Sequence, residues 1–314
     1  MKFHGTNFTL GTGAQTTAMQ TRMLIGAIHL LMTVLTMRAQ AGQIITFGTN
    51  SREWNQRLHV SGIRFGCSGM PSACALAAEQ TAASQSVPFI YLSVLLKTET
   101  GIDYASRYSA LSKRHPVIYE VGIDDFFSQL ERLSDMTEDA KVAYVTAVAA
   151  ALKSKNKRLR VGITLYEDQL KTGQIRILQQ LGSSIDIVHL FVHFRTNGPL
   201  YASYLKTLKT ALPKALIYAG AYAYDRIDYL PCAEGSRNPC SIHDERVLFA
   251  QTLAIQKHLM DQGEIAAIEF SPGMFGQEDE WRAWTDARTC RAERRQECID
   301  DTKALRQIVL NVLK

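Results

Sequence analysis

Short apolar runs recur along the chain and alternate with segments of helical spacing. The runs fall at 43–48 (QIITFG), 60–66 (VSGIRFG), 87–95 (VPFIYLSVL) and 116–124 (PVIYEVGID), and continue at 159–166 (LRVGITLY), 186–194 (DIVHLFVHF), 215–224 (ALIYAGAYAY) and 265–271 (IAAIEFS). Each is rich in β-branched or aromatic residues and reads as a strand. Amphipathic patterns at 137–153, 199–211 and 244–262 read as helices between them. Thr137, followed by two acidic residues, is a helix start: its side-chain oxygen and the early negative charge satisfy free N–H groups. Strands alternating with helices across residues 42–314 predict an α/β fold, a (β/α)8 TIM barrel in a single domain. A doubly wound open sheet is the competing arrangement, but no G-x-G-x-x-G or P-loop spacing favours it.

Because side chains alternate across a strand, parity divides the barrel lumen from the helix-facing side. On 116–124 it places Glu120, Gly122 and Asp124 on one face and Val117, Tyr119, Val121 and Ile123 on the other. The apolar set belongs against helices, so the carboxylate-bearing set faces the lumen, with Asp124 at the C-terminal mouth. The same division gives lumen faces of Tyr91 and Ser93; Gly162, Thr164 and Tyr166; His189, Phe191, His193 and Arg195; Tyr218, Gly220, Tyr222 and Tyr224; and Glu269. Barrel interiors are normally filled with branched apolar side chains, so this lining is unusual. It suits a sugar, which offers hydroxyls at its edges and an apolar face for stacking.

Composition refines the picture at the chain's start. Residues 23–35 (MLIGAIHLLMTVL) follow Arg22, and Ala39-Gln40-Ala41 matches a small-residue cleavage pattern. We therefore expect 1–41 to be leader and signal peptide and 42–314 the mature barrel domain, secreted or periplasmic after cleavage near Ala41. An anchored amphiphilic segment is the alternative. Removing 1–41 takes away three basic residues and no acidic one, lowering the formal charge from +5 to +2. That balance argues against nucleic acid as a partner, and no stable membrane span is expected in the mature chain. The six cysteines fall into local pairs, Cys67 with Cys74, Cys232 with Cys240 and Cys290 with Cys298, and are expected to staple loops as disulfides. Metal binding is the rival reading, and no C-x2-C spacing supports it. No metal or cofactor is expected.

Cleaving a glycosidic bond requires a carboxylic acid to protonate the leaving oxygen and a second group to stabilise or capture the oxocarbenium-like centre. Candidate catalytic carboxylates at strand ends are Asp124, Asp125, Glu167 and Glu269. Tyr91, Tyr166, His193, Arg195, Tyr222, Tyr224, Asp225 and Trp281 are candidate substrate-binding residues. Glu269 is also a candidate partner for Arg195. The bland reading of Asp124, Asp125 and Glu167 is helix capping.

An apolar fourth strand ending in Asp124-Asp125, followed by a helix and then GITLYED, resembles family 84 glycoside hydrolases, the O-GlcNAcase-like N-acetylglucosaminidases. That resemblance implies substrate-assisted chemistry, with Asp124 polarising the substrate's N-acetyl group and Asp125 acting as acid and then base. The AYAYDR segment, with Tyr222, Tyr224 and Asp225, is similar to a late strand of family 18 chitinase-like barrels. The expectation is a secreted glycosidase acting on an oligo- or polysaccharide. A non-catalytic, lectin-like barrel is the alternative.

Overall fold

The computed structural model describes residues 42–48, 51–96, 100–192, 195–222, 242–271 and 295–313. Eight parallel strands close into a barrel in sequence order. They are β1 (Gln43–Phe47), β2 (Val60–Gly66), β3 (Phe89–Val94), β4 (Ile118–Ile123), β5 (Arg160–Tyr166), β6 (Ile187–Phe191), β7 (Leu216–Tyr222) and β8 (Ala267–Ser271). Closure comes from β1, which pairs with both β2 and β8. The (β/α)8 barrel is thus the fold, and the open doubly wound sheet is excluded. All eight strand expectations match within a few residues. Even the short β1–β2 crossover is helical, over Arg52–Arg57, with Ser51 Oγ accepting from the Trp54 amide.

Local chemistry explains the outer helices. Thr137 accepts a bond from the Ala140 amide and opens the helix Glu138–Leu152. Val145, Val148, Ala149 and Leu152 are its buried residues. Their spacing of three, four and seven forms one stripe, which packs on the barrel. The apolar parity sets of the strands, among them Ile63, Leu92, Val121, Ile163, Leu190, Ala219 and Ile268, join such stripes in one continuous core between sheet and helices.

Inside the barrel a second, smaller apolar cluster is formed by Ile45, Tyr91, Ile187, Tyr218 and Ala267. It forms a floor, because Tyr91 Oη reaches Gln43 Oε1, on the first residue of β1, at 3.4 Å. Glycines on the lumen face make room for the large side chains around and above it. A Cβ at Gly62 would strike the Tyr91 ring, one at Gly162 would coincide with Glu120 Oε1, and one at Gly220 would enter the Phe191 ring. Gly162→Ala should therefore displace Glu120 and cost about 1–3 kcal/mol, the usual penalty for overpacking. A shift of the chemical-denaturation midpoint measures it.

One expected disulfide, Cys67–Cys74, is present and closes the loop after β2, with Cα atoms 5.9 Å apart. The side chains of Cys232, Cys240, Cys290 and Cys298 lie outside the described residues. Among the described residues, no helix is long and apolar enough to cross a membrane.

Candidate active site

Above the aromatic floor the lumen becomes ionic. His189 on β6 is fully buried, its ring 5.2 Å from that of Tyr218 in an edge-on contact. Its Nε2 lies 2.9 Å from Glu120 Oε1, and its Nδ1 meets Glu269 Oε2. Ionised carboxylates only accept hydrogen bonds, so an imidazole between two of them donates from both nitrogens and is cationic. Glu269 also accepts from Arg64 Nη1 through Oε1, at 3.4 Å. Arg64 Nη2 then reaches up to Ser93 Oγ at 3.3 Å, to Asp124 Oδ1 at 3.3 Å, and to Thr164 Oγ1. The Thr164 hydroxyl in turn donates to the same Asp124 oxygen at 3.0 Å. Two buried cations and two buried carboxylates therefore compensate one another below Asp124, whose side chain is 29% exposed.

Electrostatics follow from that arrangement. Burial pulls His189 down, yet Glu120 and Glu269 outweigh both burial and the repulsion of Arg64, and its pKa is raised. Burial pushes Glu269 up, but His189 and Arg64 together hold it below its ordinary value. The folded state thus binds the His189 proton more tightly than the unfolded chain does. That contribution to stability is complete below the ordinary histidine value of 6.5 and is lost as pH rises through the raised folded value. Glu269 works in the opposite sense. Its contribution is complete above the ordinary value of 4.5 and is lost as pH falls through the lowered one. The thermal midpoint should consequently be highest at about pH 5–6.5 and decline on both sides.

At the mouth, Asp125 follows Asp124 at the turn out of β4. Its backbone is left-handed, with φ 43° and ψ 51°. Such a conformation costs an L-residue about 1–2 kcal/mol, although aspartate tolerates it better than most. Asp125 occupies the position before the helix Phe126–Glu131, but its side chain makes no capping bond there. The carboxylate instead accepts from Tyr166 Oη at 2.5 Å. Burial first, then neighbouring Tyr222 and Asp125, raise the Tyr166 phenol far above its ordinary range, so it stays a donor. Tyr222 packs against Phe191, with ring centroids 4.8 Å apart, and forms an aromatic wall beside the acid.

The expected residues now separate by depth. Asp124, Asp125, Tyr166 and Tyr222 come together at the mouth. Glu167 begins the short 3-10 turn after β5, is 5% exposed, and accepts from Asn197 Nδ2 at 3.3 Å. Glu269 is drawn below the mouth: it is fully buried, with both oxygens engaged. Its partners are Arg64, on β2, and His189, on β6. Tyr91 lies deeper still, fully buried in the floor, so its contacts are with barrel side chains rather than an open cleft. His193, Tyr224, Asp225, Trp281 and the side chain of Arg195 lie outside the described residues. The reading of sequence missed Arg64. Its signal is the alternation in VSGIRFG, where Gly62, Arg64 and Gly66 share the face opposite Ile63 and Phe65. Among the described residues, no group of three His, Cys, Asp or Glu side chains is arranged to hold a metal ion.

No family model and no curated protein matches the chain. Solved structures do. The exo-beta-1,4-mannosidase Op5Man5 from Opitutaceae bacterium strain TAV5 is 10% identical with a TM-score of 0.50, over 87% of this chain and 60% of that one. A GH18 chitinase from Pseudoalteromonas aurantia is 11% identical with a TM-score of 0.45, over 73% of this chain and 93% of that one. A candidate fructose-1,6-biphosphate aldolase from Coccidioides immitis is 11% identical with a TM-score of 0.43, over 89% and 91%. The likeness is one of fold.

Proposed function

We propose that this barrel hydrolyses O-glycosidic bonds, with Asp125 as general acid and base and Asp124 as the fixed carboxylate that steers the reacting centre. The observation that carries the reading is the contrast between two adjacent aspartates. Asp124 is bonded from below by Arg64 and Thr164. Asp125 is strained and half-buried, and its side chain accepts from the Tyr166 phenol. Helix capping, the bland reading of Asp125, has no capping bond to support it. An anion pinned from below beside an acid held by one phenol suits a substrate that supplies its own nucleophile, as an N-acetylhexosamine does. The engagement of both Glu269 oxygens favours the adjacent pair over Glu269 with Asp125 as the reacting carboxylates.

Tyr222, half-buried beside the acids and backed by Phe191, fits stacking against a pyranose face. The Cys67–Cys74 disulfide supports an oxidising compartment, in keeping with export of the domain as residues 42–314. Assay of the full chain on aryl glycosides and polysaccharides, with and without a 2-acetamido group, tests the reading. Release of the aryl alcohol from the 2-acetamido substrates is the expected result. Glycan binding without turnover on any of them would favour the lectin-like alternative.

A further inference from the structure

We propose that Arg64 is the positioning residue of the site, deciding which oxygen of Asp124 a substrate meets; the inference rests on the hydrolytic reading above. Arg64 Nη2 and Thr164 Oγ1 both donate to Asp124 Oδ1, and among the described residues they are its partners. That oxygen is turned inward, leaving Oδ2 as the one presented to a ligand. Arg64 is itself placed from beneath. Charges of alternating sign run from floor to mouth, Glu120 to His189 to Glu269 to Arg64 to Asp124, each in contact with the next.

The guanidinium is aimed at a cost. Its Nε–H is buried without an acceptor among the described residues, and a buried donor left unsatisfied is destabilising. A residue present only to neutralise Glu269 need not be oriented so that its two Nη groups bridge one carboxylate just past the end of β4 and one on β8. The bridge from Glu269 to Asp124 is what the geometry secures. Lysine, a point charge on a flexible stem, cannot span the same two acceptors with a planar fork.

Arg64→Lys is accordingly expected to lower kcat about a hundredfold, the scale of a small misplacement at a reacting centre, while KM moves little. Because loss of Arg64 could unfold the barrel, the charge-balanced pair Arg64→Met with Glu269→Gln is the second variant. It should fold, as judged by circular dichroism, and show the same loss of kcat. A folded double variant with unchanged kcat would overturn the proposal and leave Arg64 a structural counter-ion. If the wild-type chain hydrolyses nothing, the hydrolytic reading fails by itself. The positioning role is then read from a crystal structure of Arg64→Lys. Rotation of the Asp124 carboxylate away from Thr164 supports the role, and an unmoved carboxylate refutes it.

Discussion

Asp125→Asn is expected to lower kcat/KM on an unactivated aryl glycoside by about 10²–10⁴-fold, the usual contribution of general acid–base catalysis. Asparagine keeps the shape of the side chain and tolerates the left-handed backbone at this position. It also retains an oxygen to accept from Tyr166 Oη. The fold should therefore survive, with a denaturation midpoint close to wild type, and the lost activity reports the missing proton. An unaffected rate would remove Asp125 from the mechanism. The left-handed backbone of Asp125 has a functional reading here. It sets the carboxylate against the Tyr166 phenol instead of over the helix amides it precedes, and local strain at a working site is maintained by the rest of the fold.

His189→Leu is the second large effect, this time on stability. Leucine fits an aromatic-walled position, and replacing a whole buried ion cluster by apolar groups can be neutral. Removing only the imidazolium is different, because Glu120 and Glu269 remain fully buried and face each other without their shared cation. Breaking a buried pair in this way costs about 3–5 kcal/mol. Chemical denaturation at neutral pH measures the loss. A loss below about 1 kcal/mol would mean that the lumen is wetter than the structure implies.

Most of the barrel was legible because its signal is local. Period-two alternation identified the strands and assigned Glu120, Asp124, Tyr166, His189 and Glu269 to the lumen, where they lie. Depth along the barrel axis was not legible in the same way. Parity says that Tyr91 and Glu269 face inward, but not that the first belongs to the floor and the second to a sealed ionic layer. Depth depends on the stagger between neighbouring strands, seen here in pairings such as Tyr91 with Glu120 and Gly220 with Glu269. Partner choice was the other hidden quantity. Arg64 and Glu269 are 205 residues apart in sequence, and His189 and Glu269 are 80 apart. Closing β1 against β8 brings the first pair within reach. A lone sequence offers no sign of it, and pairing with Arg195 is only one of the roles that sequence suggests for the Glu269 side chain. Capping propensity misled for a related reason. An aspartate before a helix is favoured by local chemistry, and only the tertiary contact with Tyr166 shows the side chain committed elsewhere.

The division of labour between the two aspartates is tested most directly by comparing leaving groups. kcat/KM would be measured for Asp124→Asn and Asp125→Asn on two aryl glycosides of one sugar, a 2,4-dinitrophenyl and a simple phenyl derivative. A good leaving group departs without protonation, so Asp125→Asn should remain near wild type on the first in bond cleavage and fall by about 10²–10⁴-fold on the second. Asp124→Asn should fall on both, because steering the reacting centre is needed whatever departs. Equal losses for the two variants on both substrates would contradict the account.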